Sequence, residues 1–518
     1  MSSNTSQSDL SNAVREYNRD RQCVDKGTLC HAPENSMYFA RDGSVMACCY
    51  SRNVPIGRYP EQSIDEIWRG ARASSMRAAL RRNELPAGCE LCYPQIISRN
   101  YSGLLARGFD SQAAPPDPSD NQELIRLGVA REYPKRLEFE LSNTCNLECA
   151  MCNGQFSSTI RMNREKLPPL PQVYDSAFLE QLLPFLTNVK SVSFIGGEPF
   201  LIDIYYQIWD LLMDVNPNCH ISITTNGTVY TSRVKRVLEN LNCQINISLD
   251  SITKGTYESI RVNGKLERTL ANLEEFTRVN RKNNKPLTIS VCPMISNARE
   301  MPKLVSFANE RGIKVFFNTV VFPLEQSIRS LPHIEQRELA QLYQTELSEP
   351  SNDIEKSNRA ALLDVAHQIE YWADQFQTEY DERQRFKAIC DSFLDAGARN
   401  RALPIMASDL NGTLPCSMAD VAAQHVDDPI ETLVDYYGAM WNVGSVALSQ
   451  GLLANVVYEP ATLQALLAYL RPKLTDDIAL TILREIRVSL LSTMVHVGTF
   501  SIETLIDLTA RVLPRDAR

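Results

Sequence analysis

Between residues 136 and 322, short runs of apolar and β-branched residues alternate with longer amphipathic segments. The runs are RLEFELS from 136, SVSFIGG from 191, ISITTNG from 221, INISLDS from 245, LTISVCPMI from 287 and KVFFNTVVF from 314. Each has the length and composition of a β-strand. Segments between them, such as FLEQLLPFL (178–186) and VKRVLENL (234–241), carry apolar residues at helical spacing. Strands alternating with helices predict parallel βαβ units, hence an α/β fold: a partial (β/α)6 TIM-type barrel with its site at the carboxyl ends of the strands. At those ends stand Cys145 after the first strand, Gly196-Gly197-Glu198-Pro199 after the second, Thr225-Asn226-Gly227 after the third and Asp250 after the fourth.

The flanks read differently. Residues 1–22 have no apolar stretch of the kind a secretory signal needs and are expected to be a solvated, disordered tail, which places the chain in the cytoplasm. Residues 23–100 form a small module with a glycine turn at Asp42-Gly43 and a capping box, Ser63-x-x-Glu66, opening the segment SIDEIW. Residues 101–133 are expected to be a linker, including the Pro- and Asp-rich QAAPPDPSDNQE (112–123). The α/β core is expected over 134–330. From 331 to 518 the strand signal stops and a mainly helical region is predicted, with Leu339, Leu342, Tyr343 and Leu347, then Leu362, Val365, Ile369, Trp372 and Phe376 at helical spacing.

At 518 residues the chain exceeds one ordinary core. Its 44% hydrophobic and 22% charged residues are those of a soluble globular protein, and no apolar run approaches the ~20 residues of a membrane helix. A net charge of −9 without a basic stripe argues against nucleic acid as a partner. The 14 cysteines change the picture more. In a reducing compartment, clustered cysteines point to metal or catalysis rather than disulfides. Cys30, Cys48, Cys49, Cys89 and Cys92 fall in the first hundred residues, and Cys145, Cys149 and Cys152 form a second, tighter group.

The segment Cys145-Asn-Leu-Glu-Cys149-Ala-Met-Cys152 places three thiols on one short loop. Three thiolates can hold three irons of a [4Fe–4S] cube and leave the fourth open to a small molecule. With Met151 before the last cysteine, this segment resembles the core motif of the radical S-adenosylmethionine (SAM) superfamily. The resemblance extends over 136–322. It implies that Gly196, Gly197, Glu198 and Pro199 receive the methionine ammonium of SAM, with Glu198 offering its carboxylate. It further implies that Ser248 and Asp250 contact ribose or carboxylate, that Thr225 and Asn226 supply polar contacts, and that Arg261 pairs with the SAM carboxylate.

Cys30, twelve residues, Gly43, four residues, Cys48 and then Cys89-x-x-Cys92 resemble the twitch domain, a shortened relative of the SPASM domain. Such a domain carries an auxiliary [4Fe–4S] cluster. Four thiolates close that cluster, a structural zinc is the alternative, Cys49 competes with Cys48, and Cys23 is a spare. These domains usually follow the core, whereas here the cysteines precede it. The resemblance implies reductive cleavage of SAM to a 5′-deoxyadenosyl radical that abstracts a substrate hydrogen, with an electron donor such as flavodoxin or ferredoxin. Related enzymes imply a peptide or protein as substrate, with oxidation or rearrangement of a small molecule such as an aminocyclitol or sugar as the alternative. Cys292, at the end of the fifth strand, is a hydrogen donor to a product radical or a packed core thiol.

Overall fold

The computed structural model describes residues 7–112 and 127–395, save position 53 and short stretches within 90–103 and at 321–322, together with a few positions between 430 and 479. About half of the expected linker and most of the region beyond 395 lie outside the described residues. The chain divides into two units, one of Ser2–Val320 with Glu346–Leu363, the other chiefly of Val321–Thr345 with Asp364–Arg518.

In the first unit the helix α1 (Gln7–Asp20) is followed by α2 (Ala32–Asn35) and three short strands, β1 (Ser36–Ala40), β2 (Ser44–Met46) and β3 (Gly57–Arg58). Helices α3 (Ile64–Arg69) and α4 (Ala71–Arg81) complete the module. The capping box is formed: the Ser63 hydroxyl accepts from the Glu66 amide and the Glu66 carboxylate accepts from the Ser63 amide. The core then runs β4 (Arg136–Glu140), α5 (Ser158–Asn163), α6 (Ser176–Asn188), β5 (Ser191–Phe194), α7 (Asp203–Val215), β6 (His220–Thr225), α8 (Ser232–Asn240), β7 (Asn242–Ser248), α9 (Lys254–Ile260), α10 (Leu266–Lys282), β8 (Leu287–Val291), α11 (Met301–Glu310) and β9 (Lys314–Phe317). All six expected strands form, two of them beginning ahead of their runs (β6 by one residue, β7 by three), and pair in parallel in chain order. Among the described residues the sheet does not close; it is an open sheet of nine strands in the order β3-β2-β1-β4-β5-β6-β7-β8-β9.

The N-terminal module is therefore part of the core sheet. Strand β1 pairs in parallel with β4, Ser36 opposite Arg136 and Ala40 opposite Glu140, while β2 returns antiparallel to β1. Gly43 makes the hairpin turn at φ +84°, and a Cβ there would lie 2.1 Å from the Tyr59 carbonyl oxygen.

Strand alternation gives the sheet two unlike faces. On one, Phe39, Phe139 and Phe194 stand side by side with ring centroids 5.5 Å apart, continued by Ile223, Ile247 and Val291, all buried against the helices. On the other, the register aligns Tyr38 and Glu138 with Ser193, Ser222 and Gln244, and Thr224 with Asn246 and Thr288. Sheets covered on both faces are built from continuous apolar strands; this alternation marks one polar, half-buried face, called the lumen face by analogy with the expected barrel.

Two expectations are corrected. The N-terminal tail is helical over Gln7–Asp20 because Ala13, Val14 and Tyr17 form an apolar stripe that is buried, with the Tyr17 hydroxyl donating to the Leu29 carbonyl and Arg21 forming a two-bond pair with Asp110. The same pair ties residues 105–112, expected as linker, to the module, where Phe109 is buried.

In the second unit α12 (His333–Thr345) packs beside the part of α13 (Asp353–Asp395) that follows Asp364, burying Leu339, Tyr343 and Ile369, with ion pairing between Arg337 and Asp374 at 2.7 Å. This matches the expected helical spacing.

Gly43→Ala is predicted to lower stability by roughly 2 kcal/mol or more, since the left-handed backbone and the Tyr59 contact both oppose a side chain. Thermal unfolding followed by circular dichroism measures it, and an unchanged midpoint contradicts the turn assignment.

Candidate iron–sulfur centres

The loop after β4 carries Cys145, Cys149 and Cys152. It is held at the carboxyl end of the sheet by backbone bonds from Glu148 to Val262 and from Ala150 to Ile260, and by Ser158, whose hydroxyl lies within hydrogen-bond distance of both the Cys145 amide and carbonyl. Burial pushes the thiols up, to about 11 at Cys145 and about 12 at Cys152, and raises Cys149 as well. Such thiols stay protonated at neutral pH unless a cation compensates the thiolate.

Beside the loop, the turn after β5 uses two residues with positive φ, Gly196 at +83° and Gly197 at +41°. A Cβ on Gly197 would lie 2.2 Å from the Thr144 carbonyl, which accepts from the Glu198 amide. The turn thus lies against the start of the cysteine loop with bare backbone, where no larger residue fits. Glu198, expected to meet the SAM ammonium through its carboxylate, is fully buried beside the cysteine loop. It accepts from the Thr225 hydroxyl at 2.8 Å and from the amides of Asn226 at 2.7 Å and Phe200 at 3.1 Å. Burial outweighs these donors and pushes its carboxyl up to about 7. Pro199 is buried in the turn beside it. The carboxylate is a strut from the Gly-Gly turn to the end of β6.

Asp250 and Arg261 also turn inward. The Arg261 Nε donates to Asp250 Oδ2 at 2.5 Å, and its Nη1 lies 3.7 Å from the Cys149 sulfur. Asp250 accepts from the Cys292 amide through its other oxygen. The two neutralise one another, because a buried charge needs a partner. Asn226 points its Nδ2 to Asn146, at 3.0 Å, and lies 3.9 Å from the Cys145 sulfur. Two of the three sulfurs thus face N–H donors, contacts that favour a thiolate. Ser248 is half-buried and aligned with Ser290 on the lumen face. Met151 and Cys292 both pack against Ile260, Met294 and Val320, and burial pushes the Cys292 thiol up to about 12.

The N-terminal cysteines converge as well. Cys30, Cys48, Cys89 and Cys92 line one apolar chamber with Met76, Leu80 and Phe109, and burial raises the Cys30, Cys48 and Cys92 thiols. Cys49 packs on the other side against Tyr38, Ala40 and Met46, and Cys23 turns to His31 at 3.4 Å. Among the described residues no three sulfurs of either cysteine group lie within 4.8 Å of one another.

Because β1 and β4 run parallel in register, Cys30, which precedes β1, lies at the amino end of the sheet and Cys145, which follows β4, at the carboxyl end. Cys48 follows β2, whose Met46 pairs with Tyr38, and returns to the amino end. The length of β4, roughly 13 Å, separates the two ends.

Sequence reasoning missed Arg41, Arg52 and Glu140. Glu140 lies beneath the Gly-Gly turn, and the Tyr38 hydroxyl and both guanidiniums bond to its carboxylate. The available signal was the alternation in RLEFE, which sets Glu138 and Glu140 on the face opposite Leu137 and Phe139.

A cysteine loop at the carboxyl end of a parallel sheet and a second set of converging thiols at its amino end are the parts of a protein that carries iron–sulfur clusters. Residues 139–308 match the radical SAM superfamily and residues 30–93 match the iron–sulfur cluster-binding SPASM domain. The chain thus carries a radical SAM domain and a SPASM-type iron–sulfur cluster-binding domain, which imply a [4Fe–4S] cluster with SAM and auxiliary iron–sulfur binding. It is similar to the GTP 3′,8-cyclase of Aliarcobacter butzleri, 25% identical over 184 residues, covering 35% of this chain and 54% of that protein. The GTP 3′,8-cyclase of Mycobacterium marinum is 30% identical over 159 residues, covering 30% of this chain and 41% of that protein. The chain thus spans about half the length of such relatives. Among solved structures, anSMEcpe with bound AdoMet aligns at TM-score 0.32 and 19% identity, over 40% of this chain and 57% of that one. Streptococcus suis SuiB bound to precursor peptide SuiA aligns at TM-score 0.32 and 16% identity, over 49% and 58%.

Cys48→Ala is predicted to remove about four irons from anaerobically reconstituted protein, whereas Cys49→Ala keeps them. Iron and sulfide analysis of the two variants checks the assignment; equal loss from both contradicts it.

Proposed function

We propose that the chain reductively cleaves SAM on the Cys145, Cys149 and Cys152 loop and abstracts a hydrogen atom from a polar substrate lying on the lumen face, most simply a side chain of a peptide or protein. When bound, the cluster and SAM supply the electron and the 5′-deoxyadenosyl radical that takes the hydrogen. The chain's own residues do the rest. Gly196 and Gly197 bring bare backbone beside the loop, Glu198 holds that backbone to the end of β6, and Arg261 and Asn226 present N–H groups to two of the sulfurs. Ser248 and the polar residues aligned with it offer hydrogen bonds to a substrate below the loop.

The observation that carries the reading is the unlike character of the two faces of the sheet. A purely structural sheet covered on both sides would not line one face with Ser193, Ser222, Thr224, Gln244, Asn246 and Ser290. Within its own unit this face is a broad strip, several strands wide, which suits a side chain presented by a larger molecule. A second reading, oxidation or rearrangement of a small polar molecule, is favoured by the similarity to GTP 3′,8-cyclases across the core. In either case the reductant belongs to the flavodoxin or ferredoxin class.

Reconstituted protein with SAM and dithionite is predicted to form 5′-deoxyadenosine, and Cys149→Ala to abolish it. A rise in product on adding the macromolecular fraction of a lysate supports the peptide reading, and a rise with the small-molecule fraction supports the second. No 5′-deoxyadenosine from the unaltered, iron-replete chain overturns both.

A further inference from the structure

Glu140, at the end of β4, is paired with two arginines. The Arg52 guanidinium spans both carboxylate oxygens, at 3.2 and 2.8 Å, and the Arg41 Nη1 bonds the first of them as well. One negative charge therefore faces two positive ones. The other carboxylates nearby do not settle the difference, since each has its own arginine: Asp42 has Arg58 at 3.5 Å, and Glu138 has Arg136 at 3.0 Å. One positive charge is left over.

The arginines are also held rigidly. Arg41 lies over the Phe156 ring at 4.4 Å, and Arg52 over Tyr38 at 5.0 Å and Phe156 at 5.6 Å. Phe156 follows the cysteine loop by four residues, and Gln155 beside it approaches Arg41 at 3.5 Å. The Nε of Arg41 is buried without a hydrogen-bond partner, and the Arg52 side chain is 37% exposed. Both border a cavity of about 300 Å³ that Ser44, Gln155, Leu170 and Pro171 also line. Stacked, pre-oriented guanidiniums with spare donors suit planar or tetrahedral oxyanions.

We propose that Arg41 and Arg52 form an anion site, on the lumen side next to the cysteine loop, that takes a carboxylate or phosphate group of the substrate. For what carries the anion, this rests on the radical SAM reading above; the binding itself does not. The cluster module supplies both arginines, so the site exists only when β1 is paired with β4. That pairing gives the N-terminal position of the module a role in substrate binding.

The test measures inorganic phosphate binding to the reconstituted full chain by 31P line broadening, for the parent and for Arg41→Gln and Arg52→Gln. Either substitution leaves Glu140 with one arginine, so the carboxylate is not stranded and the fold is kept; cluster absorbance and circular dichroism confirm it. Saturable binding by the parent, weakened about tenfold or more in both variants and recovered in part by Arg52→Lys, is the expected result. SAM affinity, measured by equilibrium dialysis on the same proteins, names the source of the anion. Unchanged SAM affinity assigns the site to the substrate, whereas a matching loss shows that the SAM carboxylate occupies it and overturns the substrate assignment. Phosphate binding that is absent from the parent, or equal in all proteins, overturns the site. A chain that binds phosphate but forms no 5′-deoxyadenosine retains the site and loses the catalytic reading.

Discussion

The in-register parallel pairing of β1 with β4 is the contact on which the rest of the arrangement depends. It joins residues a hundred positions apart, Ser36 to Arg136 and Ala40 to Glu140, and makes a separate-looking cysteine module the continuation of the core sheet. Loop closure over that span is entropically costly. It is offset by main-chain hydrogen bonds, by the tilted contact of the Phe39 and Phe139 rings, and on the other face by the Tyr38 and arginine bonds to Glu140. The parallel direction has a consequence for the chemistry. It sends the module's cysteines to the amino end of the sheet and the Cys145 loop to the carboxyl end, so one substrate carbon cannot touch both groups.

Burial sets the character of each cysteine group. The thiols sit in surroundings that raise their pKa, and Cys30, Cys48, Cys89 and Cys92 have an apolar chamber around them. Free thiolates there would be isolated buried charges, whereas cluster iron compensates them directly. The Arg261 and Asp250 pair follows the same rule, since neither charge is tolerable alone at that depth and together they present an N–H to Cys149.

Much of this was legible in the sequence because the signals were local. The six strand runs, the Cys145 motif, the Gly-Gly turn and the Ser63 capping box each depend on residues within a few positions of one another. What was not legible depended on distant partners. The tail read as disordered because its stripe of Ala13, Val14 and Tyr17 is short and needs Asp110, about ninety residues away, to hold Arg21 in place. Asp250 follows a strand and Arg261 a helix eleven residues on, and only the fold shows them facing each other. Cys48 and Cys49 are adjacent, and only the hairpin geometry separates the one in the chamber from the one packed on Tyr38. The alternation in RLEFE, SVSF and NCQINIS is present in the sequence, but it took the parallel pairing of the strands to show that it builds one polar face.

The most direct test of the account is the iron and acid-labile sulfide content of anaerobically reconstituted protein in which Cys145, Cys149 and Cys152 are all replaced by Ala, set against the unaltered chain. Two separate centres predict about eight irons falling to about four. An iron content untouched by the triple substitution would contradict the assignment of a cluster to that loop.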